Sequence, residues 1–266
     1  AQYREAGVLL WRGFTVLDAC NQIFGNALGS CKGRQMPVHY GSKELAFVTI
    51  SSTIATQLPQ AVGAAYAYKR KQNGQCVICY FGEGASSEGD AHTAMNFAAV
   101  YDVPVIFFCR NNGYAISTPV KDLYAVYNAT KAAREIAVKE SRPVLIEAMT
   151  YRLSHHSTSD DSTAYRSIDE MNSWERDDNP IVRFRQYMQN KGWWSEEMHQ
   201  RLDKECQTHV MECFQKAETQ RRSKPTDMFE DVFDKLPPML ERQKKELLEH
   251  LKQYKKEYPM ELFEKQ

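Results

Sequence analysis

Gly82-Glu83-Gly84 follows the apolar run Cys76-Val77-Ile78-Cys79-Tyr80-Phe81, and Asn111-Asn112-Gly113 follows Val103-Pro104-Val105-Ile106-Phe107-Phe108-Cys109. Short apolar runs bounded by turn residues read as buried strands. Between them Ala91, Ala94, Met95, Ala98 and Ala99 recur at helical spacing on one face. A strand–helix–strand unit makes its strands parallel. It brings a carboxylate and paired amides to one carboxyl edge, where open α/β sheets bind ligands. A carboxylate, an amide oxygen and a nearby carbonyl are hard donors, the set that suits Mg²⁺ carrying a diphosphate. A turn explains either signal alone; their separation by one βα unit gives the pair its meaning.

Further elements must position this edge. Thr56 is placed to cap a helix with Pro59 in its first turn and Leu58, Ala61, Val62 and Ala65 as its apolar stripe. Ser86 or Ser87 is placed to cap the helix that joins the two strands. A helical pattern over 124–140, with Val126, Ala129, Ala133, Ile136 and Ala137 on one face, leads to a third buried strand over 143–148. Repeated βα units predict an α/β fold, a parallel sheet with helices on both faces. The stretch 151–170 is polar and lacks an apolar period, so it reads as an exposed loop. Beyond Trp174 the chain turns to charged amphipathic helix, starting well at Ser195, with Leu202, Val210, Phe214 and Ala217 as a stripe. Residues 221–225 read as a linker before a last helix over 240–258. The predicted division is an α/β domain over 1–174 and a helical C-terminal extension over 175–266.

Composition narrows the class. The 266 residues carry 34 basic and 34 acidic side chains, so no basic excess supports nucleic-acid binding. No apolar run reaches the ~20 residues that span a bilayer. Seven cysteines, an odd number, fit a reducing compartment better than a disulfide scaffold. Cys76 and Cys79 would face opposite sides of a strand and cannot chelate one metal. The chain opens Ala1-Gln2-Tyr3-Arg4, which leaves open a processed or lost upstream stretch.

The stretch from Gly82-Glu83-Gly84 to Asn111-Asn112 resembles the thiamine diphosphate fingerprint, with Glu83 where Asp is usual. Gln2-Tyr3-Arg4-Glu5, the run from Gly33-Arg34-Gln35 to His39-Tyr40, and the run from Arg110-Asn111-Asn112 to Ser117 extend the match. Tyr151-Arg152-Leu153-Ser154-His155-His156-Ser157-Thr158-Ser159-Asp160-Asp161 extends it further. Together they resemble the E1 alpha subunits of the branched-chain 2-oxo acid dehydrogenases; the His-His-Ser-Thr-Ser-Asp-Asp stretch separates these from pyruvate-specific relatives.

The resemblance implies oxidative decarboxylation of branched-chain 2-oxo acids, with acyl transfer to a lipoyl group on an E2 core. Glu83, the Asn112 side chain and the Tyr114 carbonyl match Mg²⁺ ligands. Arg4 and Arg110 match residues that grip the diphosphate, a geometry that suits guanidinium. Gln2, Tyr3, Ser52, Ile54, Gly84 and Ala85 match further cofactor contacts. Ser51, Thr53, Thr56 and Gln57 match a K⁺ site, with Thr53 where Pro is usual; helix capping by Ser and Thr explains the same residues without an ion. His156 matches the active-site histidine, able to donate to substrate or diphosphate and to shuttle protons; a surface-loop histidine is the plain alternative. His155 has no equal claim, and the pair lacks a Cys or third His at zinc spacing. Ser157 matches an inhibitory phosphorylation site and Ser167 a second, less consequential one.

The implied partners are an E1 beta subunit in an α₂β₂ heterotetramer, the E2 core, and a regulatory kinase and phosphatase. Neither nucleic acid nor membrane insertion is implied, and the implied compartment is the mitochondrial matrix. The chain departs from the pattern between Pro119 and Ala125, where the family carries a glycine-rich stretch and an additional strand. That loss is expected to leave a gap in the sheet or to shift its neighbours. The alternatives are a pyruvate-type alpha subunit, or a non-catalytic subunit disabled by the shortened segment.

Overall fold

The computed structural model describes residues 1–112, 123–155 and 158–265. In chain order the helices are α1 (Ala6–Trp11), α2 (Val16–Phe24), α3 (Gln57–Lys71), α4 (Glu83–Ser86) and α5 (Gly89–Val100), followed by α6 (Leu123–Glu140), α7 (Ile168–Ser173), α8 (Pro180–Asn190), α9 (Glu196–Glu218) and α10 (Pro238–Gln253). The strands are β1 (Val77–Gly82), β2 (Val105–Asn111) and β3 (Val144–Met149). No helix of the described residues is long and apolar enough to cross a membrane. The chain divides into two compact units: residues 1–2 with 51–201, and residues 3–50 with 202–266. These units cross the expected 174/175 division, because the chain's beginning clusters with its C-terminal helices.

The first unit holds a three-stranded parallel sheet in the order β1-β2-β3. β1 pairs with β2 from Val77↔Val105 to Gly82↔Arg110, and β2 pairs with β3 from Ile106↔Val144 to Asn111↔Met149. No gap separates β2 from β3, although the shortened segment lies between them in sequence.

Strand alternation sends successive side chains to opposite faces. Cys79, Phe81, Val105, Phe107 and Cys109 meet Leu58, Ala61 and Ala65 of α3 and Ala91, Ala94 and Ala98 of α5 in one buried core. Small residues on both helices let their backbones come close to the sheet. On the other face Ile106 packs with Ala133 and Ala137 of α6, joined by Cys76, Ile78, Val144 and Ile146. Helices therefore cover both faces, as predicted, and Cys76 and Cys79 lie in different cores. β2 is the most buried strand, through Val105, Ile106, Phe107 and Cys109. Leu145 in β3 is 56% exposed: it alternates with Val144 and Ile146, which pack toward α6, and no β3 residue joins the α3/α5 core.

Two expected starts differ. Thr56 precedes α3 but its side chain caps no backbone N–H, and neither Ser86 nor Ser87 caps α5, whose N-cap position is Glu88. The turn α4 begins directly at Glu83, so the chain is already helical there. Ser195 does cap α9, its hydroxyl accepting from Met198 N–H at 3.2 Å.

The second unit is built around Asn26, which is 1% exposed. Its side-chain amide donates to Asn21 Oδ1 (2.8 Å) and the Ala217 carbonyl (3.0 Å), while its Oδ1 accepts from the N–H groups of Leu28 and Gly29. Phe24 meets Phe214 edge-on at 4.9 Å, and Cys20, Cys213 and Ala217 form the small core beside them. The basic stretch after Cys31 is also used internally: Arg34 pairs with Asp231 at 2.7 Å. Gly33 sits at φ +74°, and a Cβ there would come 2.6 Å from the Gly25 carbonyl oxygen. The 221–225 stretch is not a linker. Arg222 bridges Asn26 on one side and Phe263 on the other, and Ser223 is buried, so its backbone is spent on neighbouring chain segments. Of the expected α9 stripe, Ala217 is buried while Leu202, Val210 and Phe214 are each more than 40% exposed. All seven cysteines are free thiols.

Candidate active site

β1 and β2 are parallel and in register, so Glu83 and Asn112 leave the same edge of the sheet. The Asn112 backbone N–H donates to Glu83 Oε2 at 3.3 Å. This bond spans 29 residues of sequence and joins the two polar signals. On the far side of β2, the Asn111 amide donates to Glu147 Oε1 at 2.8 Å, a contact between β2 and β3 that the sequence did not single out. Just below the edge lies the Cys109 thiol, 7% exposed. Burial, helped by the Glu147 and Glu83 carboxylates, pushes it up to about 11.

Gly84 follows Glu83 with nothing within 4 Å of where a Cβ would stand, so the backbone there is open to a ligand. Ala85 is buried in the α3/α5 core. Gln2 belongs to the same unit: its Nε2 lies 3.9 Å from where a Cβ on Gly82 would stand. Arg110 pairs in the ladder with Gly82 and Ala148, one residue short of the edge. Tyr3 and Arg4 fall in the second unit, where the Arg4 guanidinium lies 5.2 Å from the Tyr3 ring centroid. Tyr114, His156 and Ser157 lie outside the described residues.

The loop before α3 gathers oxygen donors. Thr56 Oγ1 donates to the Thr53 carbonyl (3.1 Å) and lies 3.4 Å from Ser51 Oγ. Ala55 turns this loop at φ +68° while 1% exposed, a conformation that costs an alanine about 1–2 kcal/mol. The Gln57 amide instead donates to the Tyr80 carbonyl at 3.3 Å, tying α3 to β1. Ser51, Thr53 and Thr56 therefore come together, and Gln57 is turned toward the sheet. Ser52 and Ile54, the expected cofactor contacts in the same loop, are exposed, Ile54 by 63%.

The neck of the 151–166 stretch holds residues that sequence reasoning missed. Arg166, 5% exposed, donates to the Arg152 carbonyl and, at 3.1 Å, to the Ser154 carbonyl, with its guanidinium 5.2 Å from the Tyr151 ring centroid. Arg152 donates to Tyr165 Oη at 2.7 Å, and that hydroxyl donates to Asp160 Oδ2 at 2.8 Å, which raises the Tyr165 phenol above its usual range. Ser162 donates its N–H (2.9 Å) and its hydroxyl (2.7 Å) to His155 Nδ1. The Ser167 hydroxyl caps α7, accepting from Glu170 N–H at 3.1 Å.

The donors are those of a hard cation: the Glu83 carboxylate with Asn111 and Asn112 beside it and Glu147 against Asn111, and no group of three His, Cys, Asp or Glu among the described residues placed to hold a softer metal. Fold and edge define an α/β protein that presents an acid and an amide at the carboxyl ends of neighbouring parallel strands. The chain belongs to the Dehydrogenase E1 component family, whose model matches residues 1–122 and 120–226. It is similar to the mitochondrial 2-oxoisovalerate dehydrogenase subunit alpha of Mus musculus, 53% identical over 289 positions that cover 99% of this chain and 65% of that protein. The proteins of the same name from Caenorhabditis elegans and Homo sapiens are 54% and 52% identical, covering 97% and 99% of this chain and 66% and 65% of theirs. The chain thus spans just under two thirds of these relatives' length. The 289 aligned positions exceed its own 266 residues, so the mouse relative carries residues with no counterpart here.

Proposed function

We propose that this chain is the alpha subunit of a 2-oxo acid dehydrogenase E1 component acting on branched-chain 2-oxo acids in the mitochondrial matrix. The observation that carries the reading is the Asn112 N–H to Glu83 bond across the carboxyl edge of β1 and β2. Its setting is a chain about half identical to 2-oxoisovalerate dehydrogenase alpha subunits. Thiamine diphosphate, when bound, supplies the electron sink that decarboxylation of a 2-oxo acid requires. Glu83, the Asn112 side chain and the Tyr114 carbonyl would hold its Mg²⁺. Arg110 and Arg4 would grip the diphosphate, Gln2 and Tyr3 would lie beside it, and Ser52, Ile54, Gly84 and Ala85 would line the cofactor. Ser51, Thr53, Thr56 and Gln57 would hold K⁺, with Gln57 contributing through an atom other than the amide nitrogen it gives to Tyr80.

His156 would donate a proton or hydrogen bond to substrate or diphosphate. Ser157, its neighbour, would be the inhibitory phosphorylation site for a regulatory kinase and phosphatase, since a phosphate there adds about −1.5 to −2 charges beside a bound diphosphate. Ser167 would be a second site of smaller effect. The partners are an E1 beta subunit in an α₂β₂ assembly and a lipoyl-bearing E2 that takes the acyl group. The test is co-expression with a beta subunit, followed by 2-oxo acid decarboxylation with and without thiamine diphosphate and Mg²⁺. Turnover of 2-oxoisovalerate above pyruvate supports the reading; the reverse preference points to a pyruvate-type subunit. The two family matches overlap at residues 120–122, within the shortened segment; the other rival is a subunit that joins the beta chain without turnover. Failure to bind thiamine diphosphate in the complex would establish it.

A further inference from the structure

We propose that Cys20 and Cys213 form a modification site, two thiols that hydrogen peroxide converts into a disulfide joining α2 to α9, with His209 as the base that takes the Cys213 proton. The site lies within the second unit and stands apart from the E1 reading. Cys20 and Cys213 are both buried and, with Ala217, make one small core. The two helices are already fastened beside them. Phe24, one turn after Cys20, meets Phe214, the residue after Cys213, at 4.9 Å. The Asn26 amide donates to the carbonyl of Ala217, one turn after Cys213, at 3.0 Å. A sulfur–sulfur bond would therefore lock helices that already pack.

The thiols are unequal. His209 stands one turn before Cys213 on α9, exposed, with its Nε2 3.7 Å from the Cys213 sulfur. The thiolate is the nucleophile, and an imidazole against the thiol can take its proton. Burial, and then the charge Cys213 would carry, raise the Cys20 thiol above its usual range, so Cys20 keeps its proton and reacts second. The Tyr40 phenol is raised likewise, by burial and by Cys20, and stays neutral. In the first step the Cys213 thiolate attacks one peroxide oxygen and the O–O bond breaks. The other oxygen leaves as hydroxide, takes the proton held by His209, and Cys213 becomes a sulfenic acid. In the second step the Cys20 sulfur attacks the Cys213 sulfur, the S–O bond breaks, and the hydroxyl leaves as water with the Cys20 proton. Two thiols give up two electrons, and one peroxide becomes two waters. Both sulfurs are buried, so the oxidant enters by local opening of this small core, and the bond forms over minutes to hours. In a reducing compartment such a bond is transient, a response to oxidant rather than a permanent staple.

The experiment uses the full chain. Trypsin leaves Cys206 and Cys213 in one peptide, so the chain carries C206A to make the assignment unambiguous. It is treated with hydrogen peroxide at neutral pH, the remaining thiols are alkylated, and the peptides are read by mass spectrometry. The expected product is the Cys20 peptide joined to the Cys213 peptide, lighter by two hydrogens than the separate pair and split by dithiothreitol. Where the rate is proportional to peroxide, chemistry limits it, and H209Q should slow the cross-link by about 10–100-fold. That change falls at an exposed position and leaves the core intact. C20A should leave Cys213 as a sulfinic acid, the fate of a sulfenic acid without a partner thiol. No bond between Cys20 and Cys213, a disulfide from either to another cysteine or between two copies of the chain, or an H209Q rate within about twofold of its parent would each overturn the proposal.

Discussion

At the carboxyl edge of the sheet, Glu83 and Asn112 are placed by backbone. Six ladder pairs run from Val77↔Val105 to Gly82↔Arg110, and the single bond from Asn112 N–H to Glu83 rides on top of them. At the neck of the 151–166 stretch, placement is by side chains: Arg166, Arg152, Tyr165, Asp160, His155 and Ser162 hold one another across the loop. A side chain at the edge can change its chemistry and leave the scaffold standing. A side chain at the neck is part of the scaffold.

The largest effect should come from the neck. Arg166→Met removes the donors to the Arg152 and Ser154 carbonyls and leaves the Tyr151 and Tyr165 rings without the cation they flank. Hydrogen bonds from a charged donor contribute ~1.5–3 kcal/mol each, and water can reach the freed carbonyl of exposed Ser154, so the first unit should lose about 2–4 kcal/mol. Urea unfolding measures the loss, and amide exchange should rise first at 152–155. Arg166→Lys should not restore it, because one ammonium cannot reproduce the planar fork. A neutral Met variant would break the comparison, since replacing a buried charge by an apolar side chain can be free of cost when its bonds carry no net stability.

The buried end of the edge makes a pH prediction. The Cys109 thiol is raised from 9.0 to about 11 by burial and by the Glu147 and Glu83 carboxylates. Below pH 9 the thiol is neutral in both folded and unfolded chains, and the shift leaves stability untouched. Between 9 and 11 the unfolded thiol loses its proton while the folded one keeps it. The unfolded state then binds fewer protons, and stability falls as pH rises, by up to about 2.7 kcal/mol over two units. Cys109→Ser should flatten that part of the pH–stability curve, and an unchanged slope would mean the edge is open to water. At pH 8 Cys109 should also resist alkylation that exposed Cys206 accepts.

Glu83→Gln sharpens the contrast from the other side. Gln keeps an oxygen for the Asn112 N–H, so unfolding free energy should move by less than ~0.5 kcal/mol. The charge that would hold Mg²⁺ is gone, and Mg²⁺-dependent thiamine diphosphate binding by the assembly should weaken by at least ~10–100-fold. Calorimetric titration measures it. Equal affinity in the variant would remove Glu83 from the cation site.

The edge was legible in sequence and the neck was not, for a physical reason. Val77 to Phe81 and Val105 to Cys109 announce buried strands because ladder and core select apolar residues at every step. Asn111-Asn112 announces a strand end because turns select amides. The α3/α5 face was legible as small residues at helical spacing. The neck has no period: Arg152 meets Tyr165, and His155 meets Ser162, by a loop path that no local rule encodes. For the same reason the rung at Arg222 read as a linker. Its Arg-Arg-Ser-Lys-Pro composition is that of a solvated turn, and only the distant partners Asn26 and Phe263 make it a rung. The start of α4 at Glu83 was hidden because the Gly-Glu-Gly signal reads equally as a turn.

The smallest effect separates two kinds of serine. Ser167 caps α7 through its hydroxyl, so Ser167→Ala should cost ~1 kcal/mol and fray that six-residue helix, visible as faster amide exchange at Glu170. Phosphate at Ser167 would keep an oxygen at the cap and place negative charge at the positive end of α7, where charge is favoured, so Ser167→Asp should hold the helix within a few tenths of a kcal/mol of wild type. Under the proposed function Ser157 is the inhibitory site and Ser167 the lesser one, so Ser157→Glu should depress decarboxylation where Ser167→Asp leaves it nearly intact. Equal losses in the two variants would mean that added charge anywhere on the loop disables it, and that the neck does not insulate α7 from the site.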